Sequence, residues 1–219
     1  MQLTFGTSLA VAFLASCSST LQHHRQKSLS WPAVGIMALG SIIGAWTGAS
    51  LAVRSSSFVL KLVFTISLAA AALRMFFEKR TVSEEIKPRP SLLWVFSGFA
   101  SGFIAPMAGI GGGIILVPLM IYLLYFPIKK VVGTSSGVII FTSAISTIQY
   151  VSLGRENTLL PEGCIGFICP SAVIFLGISS MITAPFGAKF NRVIKNSFFK
   201  KFFGILLLLI SIKILFTKF

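Results

Sequence analysis

Between Ser91 and Phe126 the chain reads SLLWVFSGFASGFIAPMAGIGGGIILVPLMIYLLYF, and no other stretch limits the fold so tightly. It is apolar enough to live in lipid, yet its centre holds Pro106, Gly109, the run Gly111-Gly112-Gly113 and then Pro118. Glycine and proline at this density break a helical hydrogen-bond ladder. Broken backbone at membrane depth is tolerated only where it is buried in protein or lines a cavity. The stretch is therefore expected to form a helix, a glycine turn and a second helix, a broken or re-entrant pair whose turn faces a substrate path.

The rest of the chain supplies the same solvent. Hydrophobic residues make up 55% and charged residues 11%, against about 25% charge in ordinary globular chains. Long apolar blocks fall near 4–21, 31–53, 58–77, 132–153, 164–188 and 202–216, besides 91–126. The fold class expected is an all-α polytopic membrane protein with about seven or eight membrane segments. Within the block at 31–53, Gly35, Gly40, Gly44 and Gly48 form a stripe that faces another helix rather than a ligand.

The formal charge of +14 does not point to nucleic acid, because there is no soluble domain to carry a basic face. The loops 22–30, 78–90, 127–130 and 189–201 together hold thirteen Lys and Arg. Basic loops of this kind stay in the cytoplasm, so all four are assigned to that side of the cell membrane. The other side receives Arg54 and Arg155. His23 and His24, adjacent in one of the basic loops, are expected to be solvated. Cys17, Cys164 and Cys169 have no metal-type spacing and read as small apolar residues of helices. A Cys164–Cys169 disulfide would need that helix end to face an oxidising compartment. Leu14-Ala15-Ser16-Cys17 has the look of a lipoprotein cleavage box, but no Lys or Arg precedes it to form a signal n-region.

An internal repeat accounts better for those residues. GTSLAVAFLASCSSTLQ, from Gly6, aligns without gaps on GTSSGVIIFTSAISTIQ, from Gly133, so that three hydroxyl-bearing positions beyond the GTS motif and a glutamine coincide 127 residues apart. Further on the offset becomes 139, pairing Gly48-Ala49 with Gly187-Ala188 and Lys61 with Lys200. The expected organisation is a first repeat at 1–77, a cytoplasmic loop at 78–90 and a second repeat at 91–219. From the first paired segment to the second, five membrane-crossing or re-entrant pieces are traversed, counting the glycine element as two. An odd number reverses direction, so the two copies are inverted, as in many secondary transporters. The glycine element has no counterpart ahead of Gly6, so the first repeat is expected to be incomplete at its N-terminal side.

All five acidic residues, Glu78, Glu84, Glu85, Glu156 and Glu162, lie between the apolar blocks. A buried carboxylate relay or cation site therefore lacks its usual parts, and the candidate ligand is an anion. Successive glycine N–H groups make a concave donor nest, and a helix starting near Gly113 turns its positive end toward it. Hydroxyls of Thr134 and Ser135, with Thr7 and Ser8, would add donors. The candidate substrate-binding set is Gly111, Gly112, Gly113, Gly133, Thr134, Ser135, Gly6, Thr7 and Ser8. Neither a metal nor another cofactor is called for, and paired Asp, a Ser–His pair or a metal cluster for enzymatic chemistry is missing from the sequence.

The pattern GFASGFIAPMAGIGGGIILVPLM, a basic spacer and then VVGTSSGVIIFTSAIS resembles the TauE/SafE (sulfite exporter) family of membrane permeases. Gly98, Gly102, Gly109, Gly111, Gly112, Gly113 and Pro118 match its glycine signature, and both GTS motifs match as well. The resemblance implies a permease of a bacterial or organellar inner membrane for small sulfur-containing anions such as sulfite or organosulfonates, with the lipid bilayer and a small anionic substrate as its partners and a homo-oligomer compatible with it. Family members carry both glycine elements, so a transport-inactive structural or regulatory membrane subunit stands as the alternative.

Overall fold

A computed structural model describes residues 2–56, 91–155 and 163–193 continuously, with shorter helical stretches inside 58–73 and 204–213. Its continuous helices are α1 (Gln2–Arg25), α2 (Trp31–Arg54), α3 (Ser91–Ala108), α4 (Gly113–Tyr122), α5 (Ile128–Gly154) and α6 (Pro170–Val193). All but α4 are long and apolar enough to cross a membrane. Among the described residues there is no strand, only a bridge between Ile165 and Ile168. The protein is an all-α polytopic membrane protein. The loop at 78–90 and all five glutamates lie outside the described residues.

Three local expectations change. Helix α1 continues to Arg25, which carries His23 out of the expected solvated loop and into the protein, where it is fully buried. The basic residues Lys129 and Lys130 are the first turn of α5 rather than a loop, because Pro127 stands at the N-cap and the helix starts directly after it. Helix α6 starts at Pro170, not near Cys164, since Gly163 and Gly166 at φ 85° and 56° fold the preceding residues into a tight turn.

Glycine sets how the helices pair. α2 and α3 run parallel with their backbones in contact: Gly40, Gly44 and Gly48 lie against the carbonyls of Val95, Phe99 and Phe103, while Gly98 and Gly102 lie against those of Met37 and Ser41. Small residues on both helices allow this approach, and the Cα–H groups then face carbonyl oxygens. α1 and α5 run antiparallel, with Ser19 Oγ 3.1 Å from Ser136 Oγ and with Gly6 beside Tyr150 and Gly133 beside His23. α1 is parallel to α6, as Leu14 meets Gly177 and the Ser18 hydroxyl donates to the Met181 carbonyl at 2.7 Å.

The pair α3–α4 is re-entrant. Trp94, in the first turn of α3, packs edge-on against Phe126, four residues beyond α4, with ring centroids 5.7 Å apart. Both ends of the pair therefore open on one side of the molecule. At 10 residues, α4 is about 15 Å long, half of what the hydrocarbon layer requires. The core falls into two clusters. One gathers Val34, Met37, Leu116, Met120, Phe126 and Val138. The other, at the opposite end of α5, gathers Leu9, Ala52, Leu60, Met107, Tyr150 and Phe167.

Candidate functional site

Three glycines of the turn adopt left-handed backbone: Gly109 at φ 68°, Gly111 at 72° and Gly112 at 89°. A side chain is strained at each of these positions, and the packing leaves no room for one. A Cβ on Gly111 would lie 3.2 Å from both Ala12 Cβ and Ile139 Cγ2, and one on Gly113 would lie 2.9 Å from Ile139 Cδ1. Ala12 and Ile139 sit near the middle of α1 and α5 and are themselves 127 positions apart. The turn is thus held at mid-depth, between equivalent points of the two antiparallel helices.

Gly112 caps α4 and accepts from the N–H of Leu116 at 2.9 Å and of Ile115 at 3.2 Å. The first N–H groups of α4, at Gly113 and Ile114, have no acceptor within their helix, and they point the helix dipole's positive end toward the α1–α5 seam. Pro106 in α3 and Pro118 in α4 remove two further backbone donors from the same element. The Pro106 carbonyl accepts from the buried Tyr150 hydroxyl at 2.9 Å, which fixes α3 to α5 just before the turn.

The two GTS motifs do not meet at the turn. They lie at opposite ends of the antiparallel α1–α5 pair, each five residues from Ala12 or Ile139 at its threonine, or roughly 8 Å along the helix. Each threonine accepts a backbone N–H from the residue that precedes a helix of the other half. Ser30 N–H donates to Thr134 Oγ1 at 3.1 Å, and Cys169 N–H donates to Thr7 Oγ1 at 3.1 Å. Each glycine lets a carbonyl close in, Phe167 O on Gly6 and Ser28 O on Gly133. Two further bonds brace these turns, from Ser28 N–H to His23 O at 3.0 Å and from Phe167 N–H to Tyr150 O at 3.2 Å. Ser135 is buried and donates to Val132 O at 3.0 Å; Ser8 is half-buried on α1.

Ala12, Ile139, Ser28, Phe167 and the buried His23 were not among the candidate residues. The first two carried a usable signal, since they fall at the repeat offset beside the GTS motifs. Phe167 and Ser28 act through their backbone carbonyls, which residue type does not announce.

Comparison with known proteins places this architecture. The family described as Sulfite exporter TauE/SafE matches residues 1–214. A "Probable membrane transporter protein" of Methanocaldococcus jannaschii is 29% identical, over 89% of this chain and 72% of its own length. A protein of the same description from Haemophilus influenzae is 25% identical over 97% of this chain and 80% of its own length. "Sulfite exporter TauE/SafE family protein 6" of Arabidopsis thaliana is 30% identical over 45% of this chain and 24% of that protein. No solved structure matches the chain.

Proposed function

Because this chain belongs to the sulfite exporter TauE/SafE family, we propose that it is a permease for small sulfur-containing anions, sulfite or organosulfonates, working by alternating access around the glycine turn. The observation that carries this reading is the turn itself. It holds Gly111 and Gly112 in left-handed backbone at mid-depth, with the start of α4 behind it and the antiparallel α1–α5 pair in front. Backbone donors there offer an anion hydrogen bonds without a fixed cation. With every glutamate outside the apolar blocks, no carboxylate competes for them. Gly111, Gly112 and Gly113 would form the binding turn. Gly6, Thr7 and Ser8 at one end of the seam, and Gly133, Thr134 and Ser135 at the other, would border the two ways into it.

Helix positions support two inverted copies. α2 and α6 begin and end 139 residues apart, at Trp31 and Pro170 and at Arg54 and Val193. The family's description as a sulfite exporter suggests the sulfur-containing anion. Purified protein reconstituted into vesicles should carry labelled sulfite or a sulfonate down its gradient. Gly112→Leu should bring that flux to background while the protein still inserts and elutes as a single species. Flux equal to wild type from the substituted protein would remove the turn from the site. Inert wild-type vesicles, tested across sulfite and several sulfonates, would favour a structural subunit.

A further inference from the structure

Cys164 and Cys169 flank a bridge in which Ile165 N–H donates to Ile168 O at 2.9 Å and Ile168 N–H donates to Ile165 O at 3.3 Å. Two residues that exchange both bonds form the hydrogen-bonded pair of an antiparallel ladder. Their outer neighbours form the non-hydrogen-bonded pair, with Cα atoms about 4.5 Å apart and side chains on one face. That spacing lies inside the range a disulfide spans, about 4.4–6.8 Å. Both residues are partly exposed. We propose that Cys164 and Cys169 form a redox-active dithiol that closes to a disulfide on the non-cytoplasmic side; the compartment rests on the orientation inferred from the basic loops.

Cys169 is set up to react first. It caps α6, its carbonyl accepting from Val173 N–H at 3.1 Å. Its thiol is pulled below the ordinary thiol range, first by the Ser171 hydroxyl and then by the Ala172 N–H, as at other helix N-termini. Cys164 is pushed up, first by desolvation and then by Cys169. The Cys169 thiolate attacks the disulfide of an external disulfide donor, giving a mixed disulfide and a donor thiolate. The Cys164 thiolate then attacks Cys169 Sγ, forming the Cys164–Cys169 bond and expelling the donor's second thiolate. The two protons lost by this chain end on the donor, which leaves as a dithiol.

The bridge would hold the turn whose Phe167 carbonyl and Cys169 N–H seat on Gly6 and Thr7. At the other end of the seam, the equivalent turn is braced by a side-chain hydrogen bond instead, His23 Nδ1 to Ser28 Oγ at 2.8 Å. That division matches a disulfide-permissive compartment on one side and a reducing one on the other.

The full chain, produced in a bacterium with a periplasm, is quenched in denaturant with N-ethylmaleimide, reduced and labelled with a polyethylene-glycol maleimide. Cys17 should carry the first reagent, and Cys164 and Cys169 the second. Cys164→Ser should move Cys169 to the first reagent, while Cys17→Ser should leave the pattern of the other two unchanged. Dithiothreitol should lower the unfolding midpoint of the wild type by a few degrees and leave Cys164→Ser unmoved. N-ethylmaleimide on both Cys164 and Cys169 of the untreated wild type overturns the proposal. An impermeant maleimide applied to reduced, intact cells then separates the causes. Labelling of Cys164 there would show the orientation correct and the bridge wrong; labelling only after permeabilisation would show that the orientation failed.

Discussion

Thr7 and Thr134 do the same work at opposite ends of one helix pair, and the work is more local than their hydroxyls suggest from sequence. Each accepts one backbone N–H across the boundary between halves, Cys169 to Thr7 and Ser30 to Thr134. Thr134 is fully buried, so Thr134→Val would keep the shape and leave the Ser30 N–H without its acceptor. An orphaned buried donor costs about 1–3 kcal/mol. Thermal unfolding in detergent should show a loss of that size for Thr134→Val and a smaller one for Thr134→Ser, which keeps the oxygen. A loss for Thr134→Ser with none for Thr134→Val would mean that the methyl group, not the bond, holds the site. Gly133→Ala should also destabilise, because its Cβ would meet Ser28 O and lie 2.9 Å from the His23 ring. The motif was legible as GTS, but its partners were not, because they are backbone groups of turns 104 and 162 residues away in sequence.

At the scale of elements, the parallel seam of α2 and α3 was the most legible feature. The stripe of Gly40, Gly44 and Gly48 faces the backbone of α3 as its spacing implied, and Gly98 and Gly102 answer it from the other side. Gly35, read in the same stripe, has nothing within 4 Å of its added Cβ; it precedes the seam and shows where the contact begins. This difference makes a paired test. Gly44→Ala would put a methyl group against Phe99 O and 2.8 Å from Phe103 N, forcing the helices apart and costing on the order of 1–3 kcal/mol. Gly35→Ala should be neutral or stabilising by up to about 1 kcal/mol, from helix propensity alone. Unfolding midpoints and monodispersity of the two variants in detergent check the contrast. If Gly44→Ala were as stable as Gly35→Ala, the close approach of α2 and α3 would be wrong. Less legible were the helix ends. Buried His23 extends α1 by side-chain and backbone bonds to Ser28, and tertiary contacts of that kind leave no mark in hydropathy.

At the scale of the whole molecule, direction decides function, and several contacts fix relative directions without reference to a bilayer. α1 and α5 are antiparallel, α2 and α3 are parallel, and the α3–α4 pair opens where it enters. Chain continuity then places the start of α2, the start of α3, the end of α4 and the start of α5 at one end of the molecule. Residues 25–30 and 127–130 therefore share a side, and Arg155 with residues 163–169 lies on the other. This grouping comes from packing alone, yet it coincides with the grouping by charge, since Arg25, Lys27, Lys129 and Lys130 fall together and Arg155 falls opposite. α3 also starts on that side, at Ser91. A single cysteine placed in 78–90 of a chain lacking Cys17, Cys164 and Cys169 should thus resist an impermeant maleimide in intact cells and react after permeabilisation. One placed at Arg155 should react in intact cells. Reaction of both from outside would break the packing order; exchange of the two results would keep the order and turn the molecule over, moving the Cys164–Cys169 turn into the cytoplasm.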